Sequence, residues 1–167
     1  QANQPWLQEV RVPDDMPWEE ADIAITHPRS QWAKWGVKGK FKADKFQASL
    51  LLPMGRKGPA FLAYGNFTTA YLKWNESLVY STTAAYLATR IAGAPRLDQG
   101  NGTVEPLSYK QIIELQKILV QRGYDVGEVD GKLGKATRLA VKDVQIKMGL
   151  PADSYPDQDF LAALKRG

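Results

Sequence analysis

Two amphipathic stretches near the C-terminus constrain the fold more than any other feature of this 167-residue chain. Apolar residues recur there three and four positions apart, and the stretches stop at Gly123 and Gly149. This spacing puts the apolar side chains on one face of a helix. The predicted faces consist of Ile112, Leu115, Ile118 and Leu119 in the first helix, and of Ala136, Leu139, Ala140, Val144 and Met148 in the second. With a short third helix at "DQDFLAALK", about 60 residues can form an independent three-helix bundle.

A polar stretch separates this bundle from the rest of the chain. Residues 93–107, "GAPRLDQGNGTVEPL", contain few apolar residues and are rich in Gly and Pro. Such a composition is typical of a linker or a surface loop. We therefore predict a first unit at residues 1–93, a linker at 94–107 and a second unit at 108–167.

The first unit is predicted to mix short strands with helices, which makes the fold class α+β. The stretches "EVRVP", "ADIAIT" and "ASLLLP" alternate in polarity or end at Pro, and "AFLAY" is a short apolar run, so all four favour strands. A short helix is predicted at "PRSQWAKWGV", with Ser30 as its cap and Gly36 as its end. From Asn66 the pattern is helical, and a longer helix ends at Gly93. Its predicted apolar face consists of Tyr80, Ala84, Leu87, Ala88 and Ile91.

Composition excludes several kinds of site. The chain has no Cys and one His, so it can build neither a Cys-based metal site nor a His-rich zinc site. We expect no metal and no cofactor, and we expect His27, which precedes Pro28, to lie in a turn.

No apolar run approaches the roughly 18 residues that a transmembrane helix needs. Because the chain lacks an initiator Met, a basic leader and a lipidation Cys, we expect a processed protein or one without its front part.

The lysine-rich stretch "KWGVKGKFKADKF" allows two interpretations. Alternating basic and aromatic residues can bind single-stranded nucleic acid, but lysines also protect exposed strand edges. The net charge of +4 is small for a nucleic-acid binder. We therefore favour the strand edge and expect no nucleic-acid partner. The residues concerned are Lys34, Lys38, Lys40, Lys42 and Lys45, with Trp35, Phe41 and Phe46.

The second unit resembles the three-helix peptidoglycan-binding domain that is appended to many bacterial cell-wall enzymes. The resemblance covers nearly all of residues 109–164, and its matching elements are Leu115-Gln116, Gly123-Tyr124, Asp130-Gly131, Gly134, Thr137, Ala140 and Gln145. Val144 and Ser154 depart from the family, which usually has an aromatic residue and Gly at these two places.

Most of this motif has a structural interpretation. Glycines allow sharp turns in the loop from Asp125 to Gly134. Asp130 can accept hydrogen bonds from nearby backbone amides, and Thr137 can bond within the first turn of its helix. The candidate ligand-binding residues of this unit are Tyr124, Asp130 and Arg138.

The first unit is similar to the later half of the catalytic domain of lytic murein transglycosylases of the membrane-bound B type, which is lysozyme-like. The similarity covers about residues 5–93 and rests on "EVRVPDD", "SQWAKWGV", "LLLPMGRKGPAFLAYGNF" and "LKWNESLVYSTTAAYLATRIAG". In that family an aromatic residue, Asn, Ser and Tyr line the glycan cleft. Trp74, Asn75, Ser77 and Tyr80 match them, while Glu76 falls on the variable place of the pattern. From the residues alone, Asn75 could also simply cap the helix and Tyr80 could be core.

The resemblance implies a function as well. The family cleaves the MurNAc–GlcNAc β-1,4 bond with one Glu, which lies upstream of the "EVRVP" segment. We therefore expect no catalytic residue in this chain, which alone should bind glycan without cutting it. The implied partners are peptidoglycan strands and the missing front half of the catalytic domain. The implied location is the bacterial periplasm, with or without a lipid anchor in the outer membrane. The main alternative is a non-enzymatic cell-wall-binding protein.

Overall fold

A five-stranded antiparallel sheet organises the first unit. The computed structural model describes residues 5–71, 78–98 and 100–167. The strands are β1 (Leu7–Arg11), β2 (His27–Pro28), β3 (Lys38–Gly39), β4 (Gln47–Leu51) and β5 (Ala60–Ala63), in the spatial order β2-β4-β5-β1-β3. The predicted strands at "EVRVP", "ASLLLP" and "AFLAY" are thus confirmed. Lys38 lies on the edge strand β3, as the strand-edge interpretation of the lysines expects.

Both faces of this sheet are covered, because the residues of β5 alternate between two clusters. Leu62 packs on one side with Trp32 of helix α1 (Arg29–Lys34). Phe61 packs on the other side with Ala85 of helix α2 (Leu78–Ile91). A strand that is buried on both faces reads as a continuous apolar run, which is why "AFLA" shows no alternation.

Three local predictions for the first unit were wrong. The stretch "ADIAIT" forms a turn instead of a strand, because the Asp22 carboxylate accepts a hydrogen bond from the Ala24 backbone N–H at 2.8 Å. Helix α1 begins at Arg29 after Pro28 and has no side-chain cap, so Ser30 lies inside it. His27 belongs to strand β2, and its Nε2 lies 2.7 Å from Glu20 Oε2.

The second unit is the predicted three-helix bundle. Its helices are α3 (Tyr109–Gln121), α4 (Lys135–Lys147) and α5 (Gln158–Arg166). Ser108 and Gln111 form a reciprocal capping box at the start of α3, and Asp157 caps α5. The bundle core consists of Leu107, Leu115, Leu119, Val126, Ala140, Val141, Val144, Phe160, Leu161 and Leu164.

The apolar face of α4 differs from the predicted one. Val141 is fully buried in the bundle core, whereas Leu139 and Met148 are exposed. The reason is that α4 contacts two partners. One face packs into the bundle, and a second face, which carries the buried polar residues Arg138 and Lys142, packs against the first unit.

The described part of the predicted linker follows the surface of the first unit. The Asp98 backbone N–H donates to Glu9 Oε1 at 2.7 Å, and Asn101 Nδ2 donates to the Val12 carbonyl oxygen at 2.6 Å. The Gly102 N–H donates to the Lys57 carbonyl oxygen at 3.0 Å. The segment is therefore attached along its course. Within the described ranges, none of the helices has the length and apolarity to cross a membrane.

Candidate functional site

An exposed apolar face on helix α2 carries the candidate glycan-binding tyrosine. Tyr80 lies in the first turn of α2 and is 52% exposed. Leu87 and Ile91 follow at helical spacing and are 58% and 82% exposed. The opposite face of the helix, with Ser81, Thr82 and Ala85, is buried against the sheet. The predicted apolar face of α2 is thus the face turned away from the sheet.

The other residues of the predicted cleft motif cannot be placed. Trp74, Asn75 and Ser77, together with Glu76, belong to residues 72–77, which lie outside the described residues. Their roles stay predictions. Tyr80 is the one member of the motif whose position is described, and its ring is accessible to a ligand from solvent.

A cluster of a cation and aromatic rings lies at one end of the sheet. Arg29 forms a bidentate pair with Asp44, and its guanidinium lies 5.2 Å from the ring centre of Phe46 and 6.0 Å from that of Tyr64. The hydrogen bonds from Arg29 lower the pKa of Asp44 to about 2. Burial raises the pKa of Tyr64, whose hydroxyl donates to Gln8 Oε1 at 2.7 Å. This cluster fixes the segment before β4 onto the sheet.

A buried glutamine organises the glycine-rich loop of the second unit. Gln116 Nε2 donates to the carbonyl oxygens of Glu128 and Lys132, both at 3.1 Å, and its Oε1 accepts from the Gly131 N–H at 2.9 Å. Asp130 Oδ1 accepts from the Lys132 N–H at 2.9 Å, the main cause of the lowered pKa of Asp130. The structural role predicted for Asp130 agrees with these bonds, and its ligand-binding role stays a prediction.

The predicted hydrogen bond of Thr137 was wrong. Its hydroxyl donates to the Val126 carbonyl oxygen at 3.2 Å, across the loop, and does not bond within its own helical turn. The cause is burial: Thr137 is 1% exposed and faces the loop, where the Val126 carbonyl needs a donor.

A second buried glutamine, Gln145, fixes the segment before α5 in the same way. Its Nε2 donates to Asp153 Oδ1 at 2.9 Å and to the Tyr155 carbonyl oxygen at 3.2 Å, and its Oε1 accepts from the Ser154 N–H at 3.0 Å. Gln116 and Gln145 are among the matching elements of the binding-domain motif, but the sequence predicted no specific contact for either. One sequence signal could have predicted that these amides are buried. Each follows an apolar core residue, Leu115 or Val144, on its helix.

Arg138 lies between the two units. It is 8% exposed, its Nη2 donates to the Pro53 carbonyl oxygen at 2.6 Å, and its guanidinium carbon lies 5.7 Å from the ring centre of Tyr155. Burial lowers the pKa of Arg138. The ligand contact predicted for Arg138 stays a prediction, since a glycan could reach this guanidinium only if the units separated.

Tyr124 forms a surface cluster with two charged residues of α4. Its hydroxyl accepts from Lys147 Nζ at 2.8 Å, and Lys147 also pairs with Asp143 at 2.7 Å. These contacts raise the pKa of Lys147 and lower that of Asp143. Tyr124 is partly buried against the bundle core, so one part of its ring remains open to solvent. It does not lie with Arg138, and the candidate residues of this unit are therefore not brought into one site.

No candidate for a catalytic acid occurs among the described glutamates. Glu20 pairs with His27, Glu114 pairs with Lys165 at 2.8 Å, and Glu9 accepts from the Asp98 N–H. None of the described glutamates is buried, whereas a catalytic acid needs an apolar pocket that raises its pKa. In the described part of the chain, no group of three or more His, Asp or Glu side chains could hold a metal ion.

Comparison with known proteins assigns both units. Residues 1–89 match the family model of the transglycosylase SLT domain, and residues 108–164 match that of a peptidoglycan binding domain. A sequence comparison with curated proteins gave no match.

Two similar solved structures are crystal structures of SltB3 from Pseudomonas aeruginosa. One holds NAG-anhNAM-pentapeptide and is 41% identical; the other holds NAG-NAM-pentapeptide and is 40% identical. Each has a TM-score of 0.78 and covers 98% of this chain, whereas this chain covers 45% of each. The resemblance to B-type lytic transglycosylases and the mixed, lysozyme-like fold are thereby confirmed. Because the family model matches more than half of its residues, the chain belongs to the transglycosylase SLT family, and it carries a peptidoglycan binding domain behind that region.

Proposed function

We propose that this chain is the glycan-binding C-terminal portion of a lytic murein transglycosylase. The observation that carries the proposal is the match of a transglycosylase region, residues 1–89, followed by a peptidoglycan binding domain, residues 108–164. The muropeptides bound to SltB3 support peptidoglycan as the ligand of this chain too.

For the intact enzyme we infer cleavage of the MurNAc–GlcNAc β-1,4 bond without water. One Glu, which we expect upstream of this chain from the family resemblance, protonates the leaving glycosidic oxygen. The same carboxylate then accepts the proton of the muramyl 6-hydroxyl, whose oxygen attacks C1 and closes a 1,6-anhydro ring. No water is consumed, which separates this reaction from hydrolysis by two carboxylates.

The contribution of this chain is a surface for the glycan beside that Glu. Tyr80 offers a flat ring and a hydroxyl at the start of α2, and Asn75 is expected to add an amide. Fixed polar groups beside an aromatic face suit a sugar, which has both hydroxyl groups and apolar C–H surfaces. Glu76 has no catalytic role in this proposal, because it falls on the variable place of the family's cleft motif. We place the intact protein in the bacterial periplasm, with or without an outer-membrane anchor.

The test compares three variants of the chain in a pull-down with purified sacculi. Tyr80→Ala should weaken binding several-fold because it removes the ring, whereas Tyr80→Phe should retain most binding because it keeps the flat face. Glu76→Gln should leave binding nearly unchanged. The wild-type chain alone should release no muropeptides with 1,6-anhydro ends.

Two results would contradict the assignment. A loss of a thousandfold or more in the activity of the intact enzyme on Glu76→Gln substitution would make Glu76 the acid. An intact protein that binds sacculi but never releases anhydro ends would instead support a non-enzymatic wall-binding protein.

A further inference from the structure

A polar cleft lies at the interface between the two units, which we call the seam. Its volume is about 220 Å³. One wall comes from the loop after β4, with Arg56 and Lys57, and the other comes from the segment before α5 and its first turn, with Tyr155 and Asp159. The end of the linker, with Glu105, closes a third side.

The walls of the cleft are held in place by buried contacts between the units. Asp153 is 7% exposed, and its Oδ2 accepts from the Arg56 backbone N–H at 2.9 Å. Gly55 has φ +70°, and a Cβ at this position would lie 2.7 Å from Tyr155 Cβ, so the two backbones are in close contact. Lys57 Nζ pairs with Asp157 Oδ2 across the cleft at 3.5 Å. The cleft therefore exists before any ligand binds, and a ligand does not have to order it.

Charged groups of opposite sign face each other across this cleft. The guanidinium of Arg56 makes no hydrogen bond or ion pair with another described residue, and the same holds for the carboxylates of Glu105 and Asp159. A ligand that carries both a carboxylate and N–H donors could satisfy all three groups. A sugar ring fits less well, because the guanidinium of Arg138 lies over one face of the Tyr155 ring, 5.7 Å from its centre.

We propose that this cleft binds the peptide of a peptide-bearing murein fragment. The inference rests on the proposed function and extends it from the glycan strand to the stem peptide. The volume of about 220 Å³ lies below the roughly 300–1,000 Å³ of sites that enclose a whole small-molecule ligand. It admits a short peptide segment and leaves the sugars outside. A carboxylate of the peptide pairs with Arg56, and its N–H groups donate to Glu105 and Asp159.

Calorimetric titration with two ligands, NAG-NAM-pentapeptide and NAG-NAM without the peptide, tests the inference. The proteins are the wild-type chain, Arg56→Gln, and Arg166→Gln as a matched control at an exposed arginine outside the cleft. Arg56→Gln should weaken binding of the pentapeptide compound about tenfold, the size of one lost charge-assisted hydrogen bond. It should leave binding of the bare disaccharide unchanged. Arg166→Gln should change neither, and the double variant Glu105→Gln, Asp159→Asn should repeat the selective loss.

Equal losses for both ligands, or no loss for either, in Arg56→Gln would overturn the peptide site while leaving glycan binding intact. A wild-type chain that binds neither ligand nor sacculi would overturn the proposed function itself, and with it this site. Thermal melts of each variant identify any loss that comes from unfolding.

Discussion

Ser154 carries backbone strain that its buried partners maintain. Its φ of +62° makes it the one described non-glycine residue in the left-handed region, which Gly adopts without strain. The N–H of Ser154 is held by Gln145 Oε1, and the neighbouring Asp153 and Tyr155 are held by the same amide. A side chain in this conformation costs about 1–2 kcal/mol that Gly avoids. Ser at this position therefore lowers the free energy of unfolding relative to Gly.

We expect Ser154→Gly to stabilise the protein by about 0.5–1 kcal/mol, since relief of the strain exceeds the greater unfolded-state entropy of Gly. For a chain of this size, that corresponds to a rise in Tm of about 2 °C. Thermal unfolding followed by circular dichroism measures it. Ser154→Ala is the control, because it keeps the Cβ and the strain. A glycine variant no more stable than the alanine variant would show that φ is not strained here.

At the scale of elements, the sequence predicted which segments are helices better than which faces they bury. The three helices of the second unit follow from apolar spacing and from end signals such as Gly123 and Gly149. The burial of Arg138 and Lys142 does not follow, because the first unit that covers them is distant in the sequence. Likewise, the turn at "ADIAIT" depends on one hydrogen bond to the Asp22 carboxylate. The alternation of polar and apolar residues contains no information about this bond.

For the candidate site, the structure bears on the helix that carries Tyr80, while the binding roles of the site residues stay predictions. Apolar spacing placed Tyr80 on a helix, and the family resemblance made it a candidate cleft residue. The structure adds that its ring is exposed at the edge of an apolar face. The roles of Gln116 and Gln145 were not predictable from spacing, because a buried amide is favourable only when several backbone partners converge on it. The cleft at Arg56 needs both units in place, so no local pattern could indicate it.

The exposed face of α2 should drive self-association of the isolated chain. Burying a large aliphatic side chain contributes about 1.5–3 kcal/mol, and Leu87 and Ile91 leave most of theirs in water. We expect light scattering to detect a concentration-dependent dimer that the double substitution Leu87→Gln, Ile91→Gln abolishes. The same change at two exposed residues of α4, Leu139→Gln and Ile146→Gln, should leave the dimer intact. A strictly monomeric wild-type chain that melts cooperatively would show that the first unit needs no cover on this face.

At the scale of the whole molecule, the two units are docked and not merely tethered. Ala152 of the second unit packs into the core of the first. Arg138 and Lys142 are buried from solvent at the same seam. Lys142 pairs there with Asp22 at 3.4 Å. Yet every member of the bundle core lies between Leu107, the last residue of the linker, and Leu164, so the second unit with this residue keeps a complete core if the seam opens. Coupling between the units therefore depends on the seam, while folding of the second unit does not.

A bulkier residue at Gly55 should separate the coupling between the units from the folding of the second unit. In Gly55→Ala the new Cβ would lie 2.7 Å from Tyr155 Cβ and 2.8 Å from Asp153 Oδ2. These distances are too short for the two units to stay in contact there. Gly93→Ala is the matched control. Gly93 also has positive φ, +92°, but apart from its immediate chain neighbours no described atom lies within 4 Å of a Cβ at this position. Both substitutions should cost about 1–2 kcal/mol of backbone strain in the first unit. We expect the wild type to unfold in a single calorimetric transition. Only Gly55→Ala should divide this transition into two and expose the linker to protease. The second unit should then melt cooperatively by itself, since its core is intact. One transition in Gly55→Ala, with the linker as protected as in Gly93→Ala, would show that the seam tolerates the bulkier residue and that docking depends on other contacts.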